Sequence, residues 1–348
     1  MDERLNELTQ WTAAQIKAMG LATDSAMVLS TVSGDASFRR YFRSFGYEDQ
    51  AQRSFIVMDA PPEKESSEAY VNIARELERY GLQVPHIHVA NLEKGFLLLS
   101  DLGDELYLNH LNEASADDLY KAALHTLLCI QQCNDLAANL PLYDATLLNK
   151  EMDLFSEWFC EKLLHLSLSA SEKLLIHQTT QQLINSALMQ PQVCVHRDYH
   201  SRNLMLTPEK SPGILDFQDA VKGPITYDLV SLLKDCYIAW PRDKVEQWTI
   251  VFANKLREKK MLTNVNDEQF LRWFDWMGVQ RHLKVLGIFS RLHLRDNKPR
   301  YLNDIPLVLD YVLETTSRYD ELNEFYQWLM EKVSPSLENF YKHQEITS

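Results

Sequence analysis

No stretch of this chain is long and apolar enough to span a membrane, which excludes a membrane-embedded class. Positive charge is scarce as well. The 35 Lys and Arg are outnumbered by 49 Asp and Glu, the net charge is −14, and no basic run exceeds a few residues. That balance argues against nucleic acid or an anionic membrane as a partner, while small anionic ligands need only local positive charge. Cysteine is sparse and odd in number: Cys129, Cys133, Cys160, Cys194 and Cys236, with the first two four residues apart rather than in a CxxC pair. Buried reduced thiols of a cytoplasmic protein fit that pattern better than a disulfide framework. The opening "MDERLNELTQWTAAQIKAMG" is acidic, with Leu5, Leu8, Trp11 and Ile16 at helical spacing, so it does not read as a secretory signal. Internal repeats and low-complexity linkers are also lacking.

What is present is apolar material in abundance. With 348 residues, 45% of them hydrophobic, the chain can bury a large core and is expected to form two lobes. "MVLSTVSGDASFRRYFRSF" and "RSFIVMDAPP" have the β-branched and aromatic content of strands, broken at Gly34-Asp35. "SSEAYVNIARELERYGLQVP" predicts an amphipathic helix capped by Ser66 or Ser67 and ended by Gly81 and Pro85. "HIHVANLEKGFLLLSDLG" predicts two more strands joined at Glu93-Lys94-Gly95. Beyond about residue 114 helical periodicity dominates. The expected architecture is α+β and two-lobed: a small β-rich lobe over residues 1–103 and a larger helical lobe over 104–348.

One stretch interrupts the helices: "CVHRDYHSRNLMLTPEKSPGILDFQDA", residues 194–220. "NLML" and "GILDF" are apolar runs separated by "TPEKSPG", whose Pro and Gly predict a hairpin loop. Such a hairpin brings Asn203, at the start of its first strand, beside Asp216, near the end of its second. An amide and a carboxylate together suit Mg²⁺, a hard ion that prefers oxygen donors. Asp198, five residues before Asn203, then lies in the preceding loop, where it can take a proton from a hydroxyl attacking a phosphate. Protein-kinase-like enzymes share this order and spacing: Asp-x4-Asn after a His-Arg pair, then a hairpin and a second metal aspartate. In this pattern Asp198 is the catalytic base, and Asn203 and Asp216 are the metal ligands.

Zinc is the alternative. "HRDYH", with His196 and His200, resembles a metallohydrolase cluster, and His86 and His88 stand at strand spacing. That reading explains the histidines and leaves Asn203, the hairpin and Asp216 unused. In the kinase reading His196 and His200 are structural and hydrogen-bond the loop backbone.

Upstream, "SGDASFRRYFR" occupies the place of a phosphate-covering loop, with Ser33, Gly34, Asp35, Ala36 and Ser37 as candidate contacts to ATP. "FLLLSDLG" stands where an inter-lobe hinge belongs, with Ser100, Asp101 and Leu102 presenting backbone groups to adenine. One part is missing. The strand before the first helix should carry a lysine for the α- and β-phosphates, and it has Met58. No glutamate stands at the matching helix position either, where Tyr70, Val71 and Asn72 fall. Arg39, Arg40 or Arg43 can supply the cation. Alternation sets Arg39 and Arg43 on one strand face and Arg40 on the other, and Arg43 is included with the nucleotide contacts. The missing lysine leaves open a non-catalytic pseudokinase.

These residues resemble the aminoglycoside phosphotransferase and choline kinase superfamily. Asp216 is followed after twelve residues by "YDLVSLL", similar to the superfamily's Asp-Leu-Ala/Val element, with Asp228 as its structural aspartate. Within it, "GDASFRRYFR", "VMDAPP", "FLLLSDLG", "DFQDAVKGPITYDLVSLLKDCYIAWP" and "GVQRHLKVLGIFSRLHLRDNKPRYLNDIP" resemble the bacterial anomeric amino-sugar kinases of peptidoglycan recycling. The resemblance implies ATP- and Mg²⁺-dependent phosphorylation of N-acetylmuramate and N-acetylglucosamine at the anomeric hydroxyl. An aminoglycoside or choline-type acceptor is the alternative. For the sugar, Glu151 offers a hydroxyl partner, Trp158 a stacking face, and Gln218 and Asp219 lie just past the metal site. Arg281, with Gln280, Lys284, Arg291 and Arg295, is a candidate for the lactyl carboxylate. At helical spacing such residues also form solvated faces and inter-helix ion pairs.

Overall fold

The computed structural model describes residues 2–21, 27–34, 38–45, 54–208 and 212–347. The chain forms two compact units. One comprises residues 1–115 with 202–219, the other 116–201 with 220–348.

The first unit is built on a five-stranded antiparallel sheet of order β1-β2-β3-β5-β4. Its strands are β1 (Val28–Gly34), β2 (Arg40–Phe45), β3 (Phe55–Asp59), β4 (Ile87–Asn91) and β5 (Phe96–Ser100). Helices α1 (Glu3–Ala18) and α2 (Glu68–Arg79) accompany it. Leu8 and Ile16 of α1 pack with Phe42, Phe55, Val57, Phe96 and Leu98 in one buried cluster, joined at its edge by Leu5 and Trp11. The helical spacing of the first twenty residues is therefore the stripe that closes one face of the sheet. Strand alternation sends Met58, Leu97 and Leu99 to the other face, all of them buried.

The turn between β4 and β5 needs glycine. Gly95 has φ +69, and a Cβ there would lie 1.8 Å from the Ala60 carbonyl oxygen. At the start of α2, Ser66 Oγ accepts from the Glu68 N–H at 3.2 Å, whereas Ser67 makes no capping bond.

The predicted hairpin is present as β7 (Leu204–Met205) paired with β8 (Gly213–Ile214). It belongs to the first unit because its backbone is tied there. The Ile214 N–H donates to Gln83 O at 2.8 Å and the Leu206 N–H to Glu105 O at 2.7 Å. Gly213 fits closely against Leu102. The same bonds draw residues 104–115, with the short α3 (Tyr107–His110), into this unit beyond the boundary at residue 103.

In the second unit β6 (Gln192–Val195) pairs with β9 (Val221–Pro224) among helices α4 (Ala116–Gln131), α5 (Asn134–Asn139), α6 (Ala145–Leu154), α7 (Ala170–Leu188), α8 (Tyr227–Leu233), α9 (Arg242–Glu258), α10 (Asp267–Leu294), α11 (Ile305–Thr316), α12 (Asn323–Trp328) and α13 (Ser334–Thr347). Helix α7 opens with a capping box, Ser169 accepting from the Glu172 N–H while the Glu172 carboxylate accepts from the Ser169 N–H. Helix α6 continues as a π-helical segment, Phe155–Leu163. Helix α10 is buried on nearly every side, as expected of the axis around which other helices pack. No helix among the described residues is long and apolar enough to cross a membrane.

Two glycines of α10 separate close packing from helix propensity. At Gly287 a Cβ would fall 2.4 Å from the Leu154 backbone carbon, where the π-helical segment begins. At Gly278 the nearest atom would be 3.7 Å away, an ordinary contact. Gly278→Ala should therefore stabilise the protein by about 0.5–1 kcal/mol. Gly287→Ala should destabilise it by about 1–3 kcal/mol. Urea denaturation of the two variants checks this; equal gains at both positions would contradict the packing.

Candidate active site

The stretch from His196 to Ser201 follows β6 and is pinned at both ends by buried carboxylates. Asp228, in the first turn of α8, accepts from the His196 N–H at 2.7 Å and from the Arg197 N–H at 3.0 Å. Arg197 has φ 77, a left-handed conformation that a side chain adopts only where its surroundings enforce it. At the other end Asp235 accepts from the Ser201 N–H at 2.9 Å and from its hydroxyl at 2.5 Å. Burial pushes Asp228 up to about 7, while the two N–H donors favour its charged form. Asp228 was legible in the sequence; Asp235 was not.

His196 lies inside this loop, its Nδ1 accepting from the Asp198 N–H at 3.3 Å and its ring edge-on to Tyr199. His200 meets Tyr237 edge-on at 5.4 Å. His86 pairs with Glu78 at 2.8 Å, and His88 lies edge-on against Phe55. Among the described residues no group of three or more His, Cys, Asp and Glu is arranged to hold a metal ion.

Asp198 is half-buried among cations. Burial opposes its ionisation, but Lys284, His200, Arg281 and Arg197 overcome that and hold the carboxyl below the usual carboxylate range. The cations are themselves fixed. Glu151 on α6 pairs with Arg197 and, at 3.1 Å, with Lys284, and it accepts from the Tyr143 hydroxyl. Lys284 also donates to the Tyr227 hydroxyl at 3.0 Å, and Gln280 donates to Tyr143 at 3.4 Å. Both oxygens of Glu151 are thus engaged within the protein. Arg281 is buried, its guanidinium donating to Cys236 Sγ at 3.4 Å. The Trp158 ring carries the Lys162 ammonium over one face at 3.6 Å. The helical spacing of Gln280, Arg281 and Lys284 was visible in the sequence. Their partners on other segments, Tyr143 for Gln280, Cys236 for Arg281, and Tyr227 and Glu151 for Lys284, were not.

In the first unit the Leu215 N–H donates to Asn203 O at 2.9 Å, which sets Asn203 opposite the residue before Asp216 on the hairpin. Asp216 has φ 61, a second enforced left-handed residue. Gln218, also buried, donates to Asp216 Oδ1 at 2.7 Å, and Asp219 is exposed. Asn203 and Asp216 are half-buried. An amide and a carboxylate at neighbouring ends of a hairpin are hard oxygen donors and fit Mg²⁺, which takes few protein ligands and completes its shell with water and phosphate.

Ser33 and Gly34 close β1 opposite Tyr41 and Arg40. Asp35, Ala36 and Ser37 lie outside the described residues. After β5 the Ser100 N–H donates to His86 O at 2.8 Å, and Asp101 accepts from the Gly103 N–H at 2.9 Å. Arg43 binds Asp101 at 2.5 Å and Asp104 at 2.8 Å. Burial opposes the charge on Asp101, but Arg43 and the Ser54 hydroxyl keep its carboxyl low.

Known proteins resemble this chain in sequence and in fold. An N-acetylmuramate/N-acetylglucosamine kinase of Pseudomonas putida is 44% identical over 336 residues, spanning 95% of this chain and 97% of its own. A protein of the same name from Neisseria meningitidis serogroup B is 40% identical, over 88% of this chain and 90% of its own. Among solved structures, an ADP-bound aminoglycoside phosphotransferase superimposes with a TM-score of 0.57 at 14% identity, over 89% of this chain and 98% of its own. A choline kinase from Streptococcus pneumoniae does so with 0.58 at 11% identity, over 88% and 99%. These two show the fold. Residues 28–260 match the phosphotransferase enzyme family, and the chain belongs to that family.

Proposed function

We propose that this chain is an ATP-dependent kinase of N-acetylmuramate and N-acetylglucosamine, acting on the anomeric hydroxyl to give sugar 1-phosphates. The likeness to curated kinases of these sugars, near full length on both sides, supports the substrate. One observation carries the chemistry: an aspartate kept ionised by surrounding cations, in a loop held at both ends by buried carboxylates.

The steps follow from the residues. Asp198 accepts the proton of the attacking hydroxyl. An anomeric hydroxyl is more acidic than an ordinary alcohol, so a carboxylate suffices as base. Asn203 and Asp216 would hold Mg²⁺, with Gln218 fixing the Asp216 carboxylate. A bound ion there would supply charge neutralisation for the phosphates of ATP. Glu151 keeps Arg197 and Lys284 beside Asp198 rather than binding a sugar hydroxyl. Arg281 is assigned to the lactyl carboxylate, for which a guanidinium is suited to bidentate pairing. The backbone of Ser100 to Leu102 is assigned to adenine, and the segment from Ser33 to Ser37 to the phosphates. The setting is cytoplasmic, where ATP and recycled sugars meet. ADP release dependent on either sugar, and absent with their C1-methyl glycosides, tests the assignment; turnover of the methyl glycosides would place the phosphate on another hydroxyl.

Two variants separate the roles. Asp198→Asn keeps the shape of the site and removes the proton acceptor, so kcat should fall about 10²–10⁴-fold with ATP affinity little changed. Asp216→Ala should abolish turnover at physiological Mg²⁺ while its thermal unfolding stays close to that of the parent. Near-normal activity of either variant would overturn its assigned role.

The pH dependence has a definite sign. Because the surrounding cations hold the carboxyl of Asp198 below its ordinary value, its base form persists to lower pH than that of an ordinary aspartate. An acid limb in kcat near pH 6–7 that is missing from the residual activity of Asp198→Asn would contradict this.

A further inference from the structure

We propose that Arg39 is the cation that receives the α- and β-phosphates of ATP, in place of the lysine that β3 lacks, and that Glu65 positions it. The inference rests on the kinase reading above and assigns a part which that reading leaves open.

The sheet separates the three candidate arginines. Arg40 points to the face closed by α1, where it binds Asp59 at 2.5 Å beside Arg4, and it also pairs with Asp2. Asp59 is fully buried, so this arginine is committed to joining α1 to the sheet. Arg43 shares the opposite face but is held by Asp101 and Asp104 together, with Gly103 O as a further acceptor at 3.4 Å. Two carboxylates more than balance its single charge.

Arg39 differs from both. It stands one residue before β2, only 4% exposed, and pairs with Glu65 at 2.7 Å. One arginine with one carboxylate is the charge arrangement of the kinase lysine–glutamate pair. Its place on the sheet matches too. Tyr41 pairs with Met58 across β2 and β3, and Arg39 lies two residues from Tyr41, on the same face by alternation. Met58 is fully buried, so the position that would bear the lysine offers packing and no charge. Glu65 lies three residues ahead of α2, earlier than Tyr70, Val71 and Asn72 on the helix itself.

Helix α2, which follows Glu65, meets the hairpin through Tyr70. The Tyr70 ring lies 4.8 Å from Phe217, next to Asp216. Arg39, Glu65, α2 and the hairpin that carries Asp216 thus belong to one compact unit. A guanidinium in that unit brings donors suited to bidentate phosphate binding.

Calorimetric binding of Mg²⁺-ATP in the absence of sugar tests this, alongside the KM values for ATP and sugar. Arg39→Met should weaken ATP binding and raise its KM about 10–100-fold, the worth of one or two charge-assisted hydrogen bonds. The sugar KM should stay within about twofold. Arg39→Lys should retain part of the affinity, and Glu65→Gln should lose less than Arg39→Met. Adding Met58→Lys to Arg39→Met should restore ATP affinity, because a lysine there reaches the same face. A purely structural arginine would not be rescued in this way. A folded Arg39→Met variant with unchanged ATP affinity overturns the assignment. If that variant does not fold, unchanged affinity in both Arg39→Lys and Glu65→Gln overturns it equally. Failure of the unaltered chain to bind ATP would overturn the kinase reading itself, a result distinct from any difference among variants.

Discussion

Two backbone N–H groups ending on one buried carboxylate organise the loop from His196 to Ser201. The His196 and Arg197 amides both donate to Asp228, and Arg197 adopts a left-handed conformation between them. A backbone in that region relaxes unless something opposes it. Asp228 does so from the first turn of α8, and Asp235, beyond the end of the same helix, secures Ser201. Asp198 is the residue enclosed by this brace. Its charge is set by a second layer, in which Glu151 and Tyr227 hold Lys284 and Glu151 holds Arg197. Orientation and ionisation of the proposed base thus have separate origins. One is backbone hydrogen bonding from α8; the other is an ion cluster spanning α6, α10 and the loop.

The sheet of the first unit divides its arginines by a rule as simple as strand alternation. Even-numbered side chains of β2 meet α1 and complete an apolar core sealed by the Arg40–Asp59–Arg4 contacts. Odd-numbered ones face the side where Met58 and Tyr70 lie. A lysine on β3 and an arginine before β2 are thereby alternative ways to deliver one positive charge to one surface. The exchange is not neutral, since a guanidinium offers a planar fork and an ammonium a compact point charge.

Local signals were legible in the sequence. Two apolar runs and a Pro-Gly loop announced the hairpin, which is present as β7 paired with β8. Leu5, Leu8, Trp11 and Ile16 announced α1 and its buried stripe. Long-range pairing was less legible. Glu65 resembles any other acid in a charged turn until β2 is placed beside it, and Asp235 resembles an ordinary residue at a helix end. The partners of Glu151 come from segments 8, 46 and 133 residues away, as Tyr143, Arg197 and Lys284, and no local pattern reveals them. The π-helical segment after α6 was hidden too, because its apolar spacing continues that of the helix before it. The close approach of Gly287 to Leu154 depends on two helices meeting, which no single segment encodes.

The central claim is that a carboxylate base held in a braced loop directs phosphoryl transfer to the anomeric oxygen of an amino sugar. Phosphorus NMR of the product formed from ATP and N-acetylmuramate examines this most directly. The account predicts a phosphomonoester resonance coupled to the C1 proton of the sugar. A phosphorus signal coupled to the C6 protons, or ADP formed without any sugar phosphate, would contradict it.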